Sequence, residues 1–373
     1  MNDFAALNYN LQALLDFIGF LQGITLGILL IVLHKKTYRA TLFLGLFLFL
    51  FSLKLISYIN ISIGLGAAQP EWLLIPFNFS WLLFPMFFIY TQKVSFLAVK
   101  KTKYWILIPG ILSVLAQIYI FLQPPSAKII IANSAWYDVV FTYTGIIYSW
   151  NIGLWNLKIL NQHKKKISDS YSHLASKELQ WARLFLIYSL ITSFIIHLLY
   201  AISADNYYFK IVFSIFDLIA IYWISFYGIQ QRNVQSLVPE TEDLVFATNQ
   251  MNSENISADN DLKAMQVFMA ELDEHMRISE IYTKTDLTIV DLAKEIDVHP
   301  KRISTAINTV HQKNFNTYIN WYRIKKAQAL LIDDKLQKLS IEGIGSEVGF
   351  HSKSAFYAAF KKETGTTPTK YIA

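Results

Sequence analysis

Long apolar runs fill the first 230 positions, and short amphipathic segments fill the last hundred. A membrane-crossing helix needs about 20 mostly apolar residues. By that measure seven spans are expected, at 11–33, 41–63, 72–91, 104–123, 136–158, 181–203 and 208–229. The third and fourth contain Pro76, Pro85 and Pro109, which membrane helices tolerate better than soluble ones. Aromatic residues gather near the span ends, at Trp72, Tyr104, Trp105, Trp136, Tyr137, Trp181, Tyr207 and Tyr208, as expected of an interfacial belt. From 231 the pattern changes. Residues 231–262 carry Pro239, many Ser, Asn, Asp and Glu, and few large apolar groups, the composition of a solvated tether. Helical spacing resumes at Leu262, Met265, Phe268, Met269, Leu272 and Met276, a stripe suited to packing on its own domain or to dimerisation. The fold class expected is all-α: a seven-helix transmembrane bundle at 1–230, the linker at 231–262, and an all-helical domain at 263–373.

That last domain reads as two helix-turn-helix units joined by one helix. In the first, Thr288 caps a helix with Asp291 three positions on, and Ile289, Leu292, Ala293 and Ile296 form its apolar face. Asp297 supplies the turn, because Asp tolerates a left-handed backbone. Pro300 suits the first turn of the next helix. That helix turns Ile303, Ala306 and Ile307 inward and Lys301, Arg302, Ser304 and Thr305 outward. In the second unit Ser340 caps a helix carrying Ile341, Ile344 and Val348, Gly349 makes the turn, and Phe350 enters the core. Ser352 then caps a helix with Phe356, Ala359 and Phe360 inward and Lys353, Ser354 and Tyr357 outward. Between the units, 316–332 is helical by pattern, a spacer of roughly 25 Å that suits neighbouring major-groove turns about 34 Å apart.

Charge adds an orientation. Residues 1–230 hold 16 Lys/Arg against 8 Asp/Glu, 231–300 hold 5 against 14, and 301–373 hold 12 against 5. Three alternate loops are basic, with Lys35, Lys36 and Arg39, then Lys93, Lys100, Lys101 and Lys103, then Lys164, Lys165, Lys166 and Lys177. The positive-inside rule places them in the cytoplasm, with the N-terminus outside and the C-terminal domain inside. The expected location is therefore a membrane, crossed several times. The chain has no cysteine, which excludes disulfides and thiolate sites. No zinc-protease motif, nucleophile elbow or other catalytic constellation emerges, so neither an enzyme nor a cofactor is expected. Charged groups inside spans are costly and are usually paired or functional. Asp16, Lys54, His197 and Asp217 all fall in the outer half of the bundle. They read either as an outward-facing pocket that senses a ligand or ion, or as a structural Asp16–Lys54 pair with His197 and Asp217 bonded inside the bundle.

The stretches DLTIVDLAKEIDVHPKRISTAIN, NFNTYINWYRIKKAQALL and SIEGIGSEVGFHSKSAFYAAFKKETGTTPTKYI resemble the AraC/XylS family of bacterial transcription regulators, over residues 265–373. Gly345 stands where that family usually has alanine, Ala355 where an aromatic is frequent, and Ile372 where a terminal arginine is common. The resemblance implies a two-lobe reader of double-stranded promoter DNA. Base readout then falls to Lys301, Arg302, Ser304, Thr305, Lys353, Ser354 and Tyr357, with His299 and His351 at the helix starts. Thr288, Ser352, Lys361 and Lys362 suit phosphates, because backbone contacts position a reader and base contacts specify. Contact with RNA polymerase and a homodimer are both compatible with it. The function expected is a membrane-bound transcription regulator that couples an unknown signal ligand to promoter control. Two alternatives stay open: a small transporter with a regulatory tail, and a sensor whose helix-turn-helix tail binds protein partners.

Overall fold

A computed structural model describes residues 7–32, 39–95, 103–174, 178–202, 206–230, 258–332 and 339–372. Lys35, Lys36, Lys100, Lys101, Lys177 and nearly all of the expected linker lie outside the described residues, as does the side chain of Arg39. Helices are the regular structure of the described residues, with no strand among them and a single isolated bridge between Tyr171 and Thr288. The chain divides into two compact units. One holds Met1–His163 and Leu179–Val238, the other Lys164–Glu178 and Pro239–Ala373.

The first unit contains α1 (Leu11–Val32), α2 (Arg39–Ile63), α3 (Leu65–Ala68), α4 (Leu83–Val94), α5 (Ile108–Phe121), α6 (Pro125–Ala132), α7 (Ala135–Asp138), most of α8 (Thr144–Ser170), α9 (Gln180–Ile202) and α10 (Tyr207–Gln230). Among the described residues, five helical stretches are long and apolar enough to cross a membrane: Leu11–Val32, Thr41–Ile63, Tyr104–Phe121, Gln180–Tyr200 and Tyr207–Gly228. The expected number was seven, and the two others take different forms.

At 72–91 the helix is confined to α4, and residues 73–82 run non-helically before it. Pro76 removes a backbone donor and restricts Ile75. Gln117 of α5 then replaces the missing ladder, its Oε1 accepting from Asn78 N (3.1 Å) and its Nε2 donating to Asn78 O (2.8 Å). Asn78 also donates to Thr142 Oγ1 at 2.7 Å and accepts from the backbone and hydroxyl of Ser80. At 136–158 a π-helical turn, Val139–Tyr143, separates α7 from α8. Polar Ser149, Asn151, Asn156 and Lys158 recur along α8, and Asn156 accepts a 2.7 Å hydrogen bond from Thr91 of α4.

Glycines let α1 meet α2. A Cβ on Gly45 would sit 2.9 Å from Gly27 O and 3.0 Å from Ile31 N, and one on Gly23 would sit 2.0 Å from Ser52 Oγ. Small residues that bring backbones together are the usual adhesive between helices in lipid, where apolar contact alone gives no preference.

The second unit holds α11 (Ala258–Ser279), α12 (Ile289–Glu295), α13 (Pro300–His311), α14 (Phe315–Ile332), α15 (Ile341–Glu347), α16 (Lys353–Thr364) and α17 (Pro368–Tyr371). It has two cores. The first joins Phe268, Met269, Leu272 and Met276 of α11 to Leu292, Ile303, Ile307, Phe315 and Ile319. The second joins Ile324 and Ala327 of α14 to Ile344, Val348, Phe350, Phe356 and Phe360. Asp273 of α11 accepts 2.7 Å hydrogen bonds from the hydroxyls of Tyr318 and Tyr322. The C-terminal part of the α11 stripe is therefore spent on its own domain, whereas Leu262 stays exposed and Met265 is half-buried.

Candidate nucleic-acid interface

Each helix-turn-helix is set by short-range chemistry. Thr288 Oγ1 accepts from Asp291 N at 3.1 Å, and Asp291 Oδ2 accepts from Thr288 N at 3.0 Å, a reciprocal box that opens α12. Asp297 takes φ 52°, and Pro300 opens α13. In the second unit Ser340 accepts from Gly343 N at 3.0 Å, Gly349 takes φ 95°, and Ser352 accepts from Ala355 N at 3.3 Å. A Cβ on Gly345 would lie 2.8 Å from the Phe356 ring. The glycine in place of the resembled family's alanine therefore lets that ring close onto α15.

Arg323 of α14 lies between the two cores, 1% exposed. Its Nε donates to Tyr282 O at 2.7 Å and its Nη2 to Lys284 O at 2.8 Å, and its guanidinium sits 5.5 Å from the Phe350 ring. Burial pulls its pKa down to about 10, far above neutrality, so the group stays charged.

Of the four outward residues expected on α13, Lys301, Arg302 and Thr305 line one cleft and Ser304 does not. An open cleft of about 430 Å³ has Ala264, Met265 and Phe268 of α11 on one wall and His299, Lys301, Arg302 and Thr305 on the other. Within it the Arg302 guanidinium stacks 4.5 Å over the Phe268 ring. His299 is the N-cap of α13, its Nδ1 accepting from Lys301 N at 3.2 Å. Ser304 is half-buried. Asn308, which the sequence pattern does not single out, is exposed one turn further along and bonds back to Ser304 O at 2.9 Å.

On α16, His351, Ser352, Lys353 and Ser354 are exposed and Tyr357 is half-buried. Lys353 pairs with Glu342 and lies 5.5 Å from the Tyr357 ring. The hydrogen bond to Glu342 holds the ammonium above its ordinary pKa. Tyr357 Oη reaches Thr369 Oγ1 of α17 at 3.3 Å. Lys361 and Lys362 are exposed in the last turn, and Ala358 completes the exposed face. The Thr288 and Ser352 hydroxyls are engaged as caps.

Residues 292–373 match the family model described as a helix-turn-helix domain. The C-terminal segment is an AraC-type helix-turn-helix domain. It is 36% identical over 95 residues to the melibiose operon regulatory protein of Escherichia coli strain K12, covering 25% of this chain and 30% of that protein. The counterpart in E. coli O6:H1 strain CFT073 gives the same figures. The chain thus spans under a third of the length of the curated relatives it matches. Among solved structures, the C-terminal domain of AraT, a response regulator from Geobacillus stearothermophilus, is 28% identical, with 26% of this chain and 78% of that chain covered and a TM-score of 0.24.

The membrane candidates also come together, though not in the expected pairing. Lys54 of α2 binds Asp217 of α10 at 3.0 Å, in place of the expected Asp16–Lys54 pair. The Phe51, Tyr58 and Phe213 rings lie 4.7, 5.1 and 5.3 Å from the Lys54 ammonium, and such rings attract cations. Asp16 is buried, 1% exposed, within electrostatic reach of that pair. His197 is also within reach and bonds to Ser193 O of its own helix at 2.5 Å.

Proposed function

We propose that this chain is a membrane-bound, sequence-specific DNA-binding transcription regulator of bacterial type. The observation that carries this reading is the AraC-type domain with two capped recognition helices, on a chain whose described residues also include five helices long and apolar enough to cross a membrane. Bases are read from Lys301, Arg302, Ser304, Thr305 and Asn308 on α13 and from His351, Lys353, Ser354 and Tyr357 on α16. His299, as the cap of α13, stands beside the first set. Lys361 and Lys362 hold the phosphate backbone. Arg302 rests on Phe268 and Lys353 pairs with Glu342. The cluster of Asp16, Lys54, His197 and Asp217 is the proposed signal-responsive centre, where a ligand or ion with different affinity for two states of the bundle would shift their balance.

Genome-wide occupancy of the full-length protein in its host tests the reading, beside a Lys301→Glu/Lys361→Glu/Lys362→Glu variant. All three side chains are exposed, so charge reversal leaves the cores intact. Discrete peaks over a shared motif, lost in the variant, are expected. A flat profile in both proteins across several growth conditions would reject DNA reading and favour a protein-interaction or transport role.

A further inference from the structure

The DNA-reading unit contains a piece of chain from far upstream. Ser172 lies between two apolar helices of the sequence, yet its N–H and hydroxyl both donate to Leu287 O, at 3.1 and 2.7 Å. Asn316 Nδ2 donates to Ser172 O at 2.6 Å, and Arg323 Nη2 reaches Ser172 Oγ at 3.3 Å. Tyr171 forms an antiparallel bridge with Thr288, and the His173 ring lies 4.8 Å from the His351 ring. Ser172 is 3% exposed and Tyr171 is 4% exposed. Burial pushes the Tyr171 hydroxyl up to about 12, so it stays neutral.

Three consecutive residues of this strap therefore touch both helix-turn-helix units and the helix that joins them. They reach the start of the first helix-turn-helix at Leu287 and Thr288, the joining helix at Asn316 and Arg323, and the start of the second recognition helix at His351. Every polar group of the Ser172 backbone and side chain is used. A surface loop resting on a neighbour by chance would leave most of them to water. The strap also follows α8 directly, since α8 ends at Ser170. A shift or rotation of α8 must carry Tyr171, Ser172 and His173 with it.

Building on the proposed function, we infer that the 171–174 strap is the regulatory contact of the DNA reader. When docked, it fixes the two helix-turn-helix units to one another through Arg323 and His351. When α8 withdraws it, the units lose their shared register on DNA. The signal then reaches the reader through α8 and needs no message through residues 231–257. A reader held in its binding geometry binds more tightly because less ordering remains to be done on the DNA.

The absence of cysteine makes this directly testable in the full-length protein. An antiparallel bridge brings Cα atoms to about 4.5–5.5 Å, within disulfide range. Tyr171→Cys/Thr288→Cys in host membranes should close a disulfide on mild oxidation, faster than a Tyr171→Cys/Glu363→Cys control. Equal or slower closure overturns the docked strap. The second measurement is binding to the recovered promoter site by full-length protein in lipid discs. Ser172→Ala, which deletes only the hydroxyl, should bind about tenfold more weakly, the loss expected of one or two hydrogen bonds, while Ser168→Ala on α8 binds as wild type does. Wild-type binding with an unchanged Ser172→Ala overturns this inference alone. A wild-type protein without sequence preference rejects the DNA-reading proposal and this inference with it.

Discussion

Arg323 shows how one side chain can serve two cores. Its guanidinium occupies the carbonyls of Tyr282 and Lys284, so Arg323→Ala leaves buried acceptors without donors. Each buried acceptor left unsatisfied costs about 1–3 kcal/mol, and the second unit should melt at a clearly lower temperature in thermal scans while the membrane helices keep their transition. Two glycines separate strain from crowding. Gly365 has φ 77° with nothing within 4 Å of where a Cβ would stand, whereas a Cβ on Gly349 (φ 95°) would lie 2.5 Å from Thr283 O. Gly365→Ala should cost about 1 kcal/mol, the left-handed penalty alone. Gly349→Ala should cost clearly more, and equal melting shifts for the two would refute the difference. At the DNA face, Lys361→Ala and Lys362→Ala should each lower the slope of log affinity against log salt by about 1 without changing the preferred sequence. Thr305→Ala and Asn308→Ala should instead alter base preference at single positions of the motif. Caps and turns at Thr288, Asp297, Ser340, Gly349 and Ser352 were legible from sequence because each acts within four residues. Ser172 was not, because its partners lie 115 to 151 positions away and a serine in a basic loop carries no pattern.

Among the elements, amphipathic spacing located the helices of the second unit well, since each buries one stripe against a core. It failed at 72–91 and 136–158 for one physical reason. Counting apolar residues measures what lipid tolerates, and it does not register that Asn78 and Gln117 satisfy each other away from lipid. Non-helical backbone is acceptable at membrane depth when protein groups bond it. Gln117→Leu should therefore damage the 73–82 segment more than its gain in hydrophobicity suggests, and a lower yield of folded protein from detergent extracts would register this. The α1–α2 contact gives the complementary case. Gly45→Leu places a side chain against Gly27 O and Ile31 N, where nothing flexible can yield. That substitution should abolish a cysteine cross-link engineered between the two helices, whereas Phe17→Leu, at an exposed position of α1, should leave it intact.

At the scale of the whole molecule, sidedness follows from connectivity. The strap at 171–174 and the helix-turn-helix domain belong to one compact unit, so they lie on the same side of any membrane. The helices α9 and α10 separate them in sequence, and both are long and apolar enough to cross. Two crossings return the chain to the side it left, as the strap contacts require. We propose, from the positive-inside rule, that Lys164, Lys165 and Lys166 just before the strap put that side in the cytoplasm. We propose that the N-terminal flank of α1 lies outside; Lys93 and Lys103 then share the side of Lys164, Lys165 and Lys166 only if the 72–91 and 136–158 segments also pass through the bilayer, as seven crossings require and five do not. Single cysteines in the cysteine-free chain read this out. Tyr9→Cys, 75% exposed, should react with a membrane-impermeant maleimide on intact cells, and Ser168→Cys only after permeabilisation. The reverse labelling would put the DNA-reading domain on the face of the membrane that holds no chromosome, and the proposed function would fall with it.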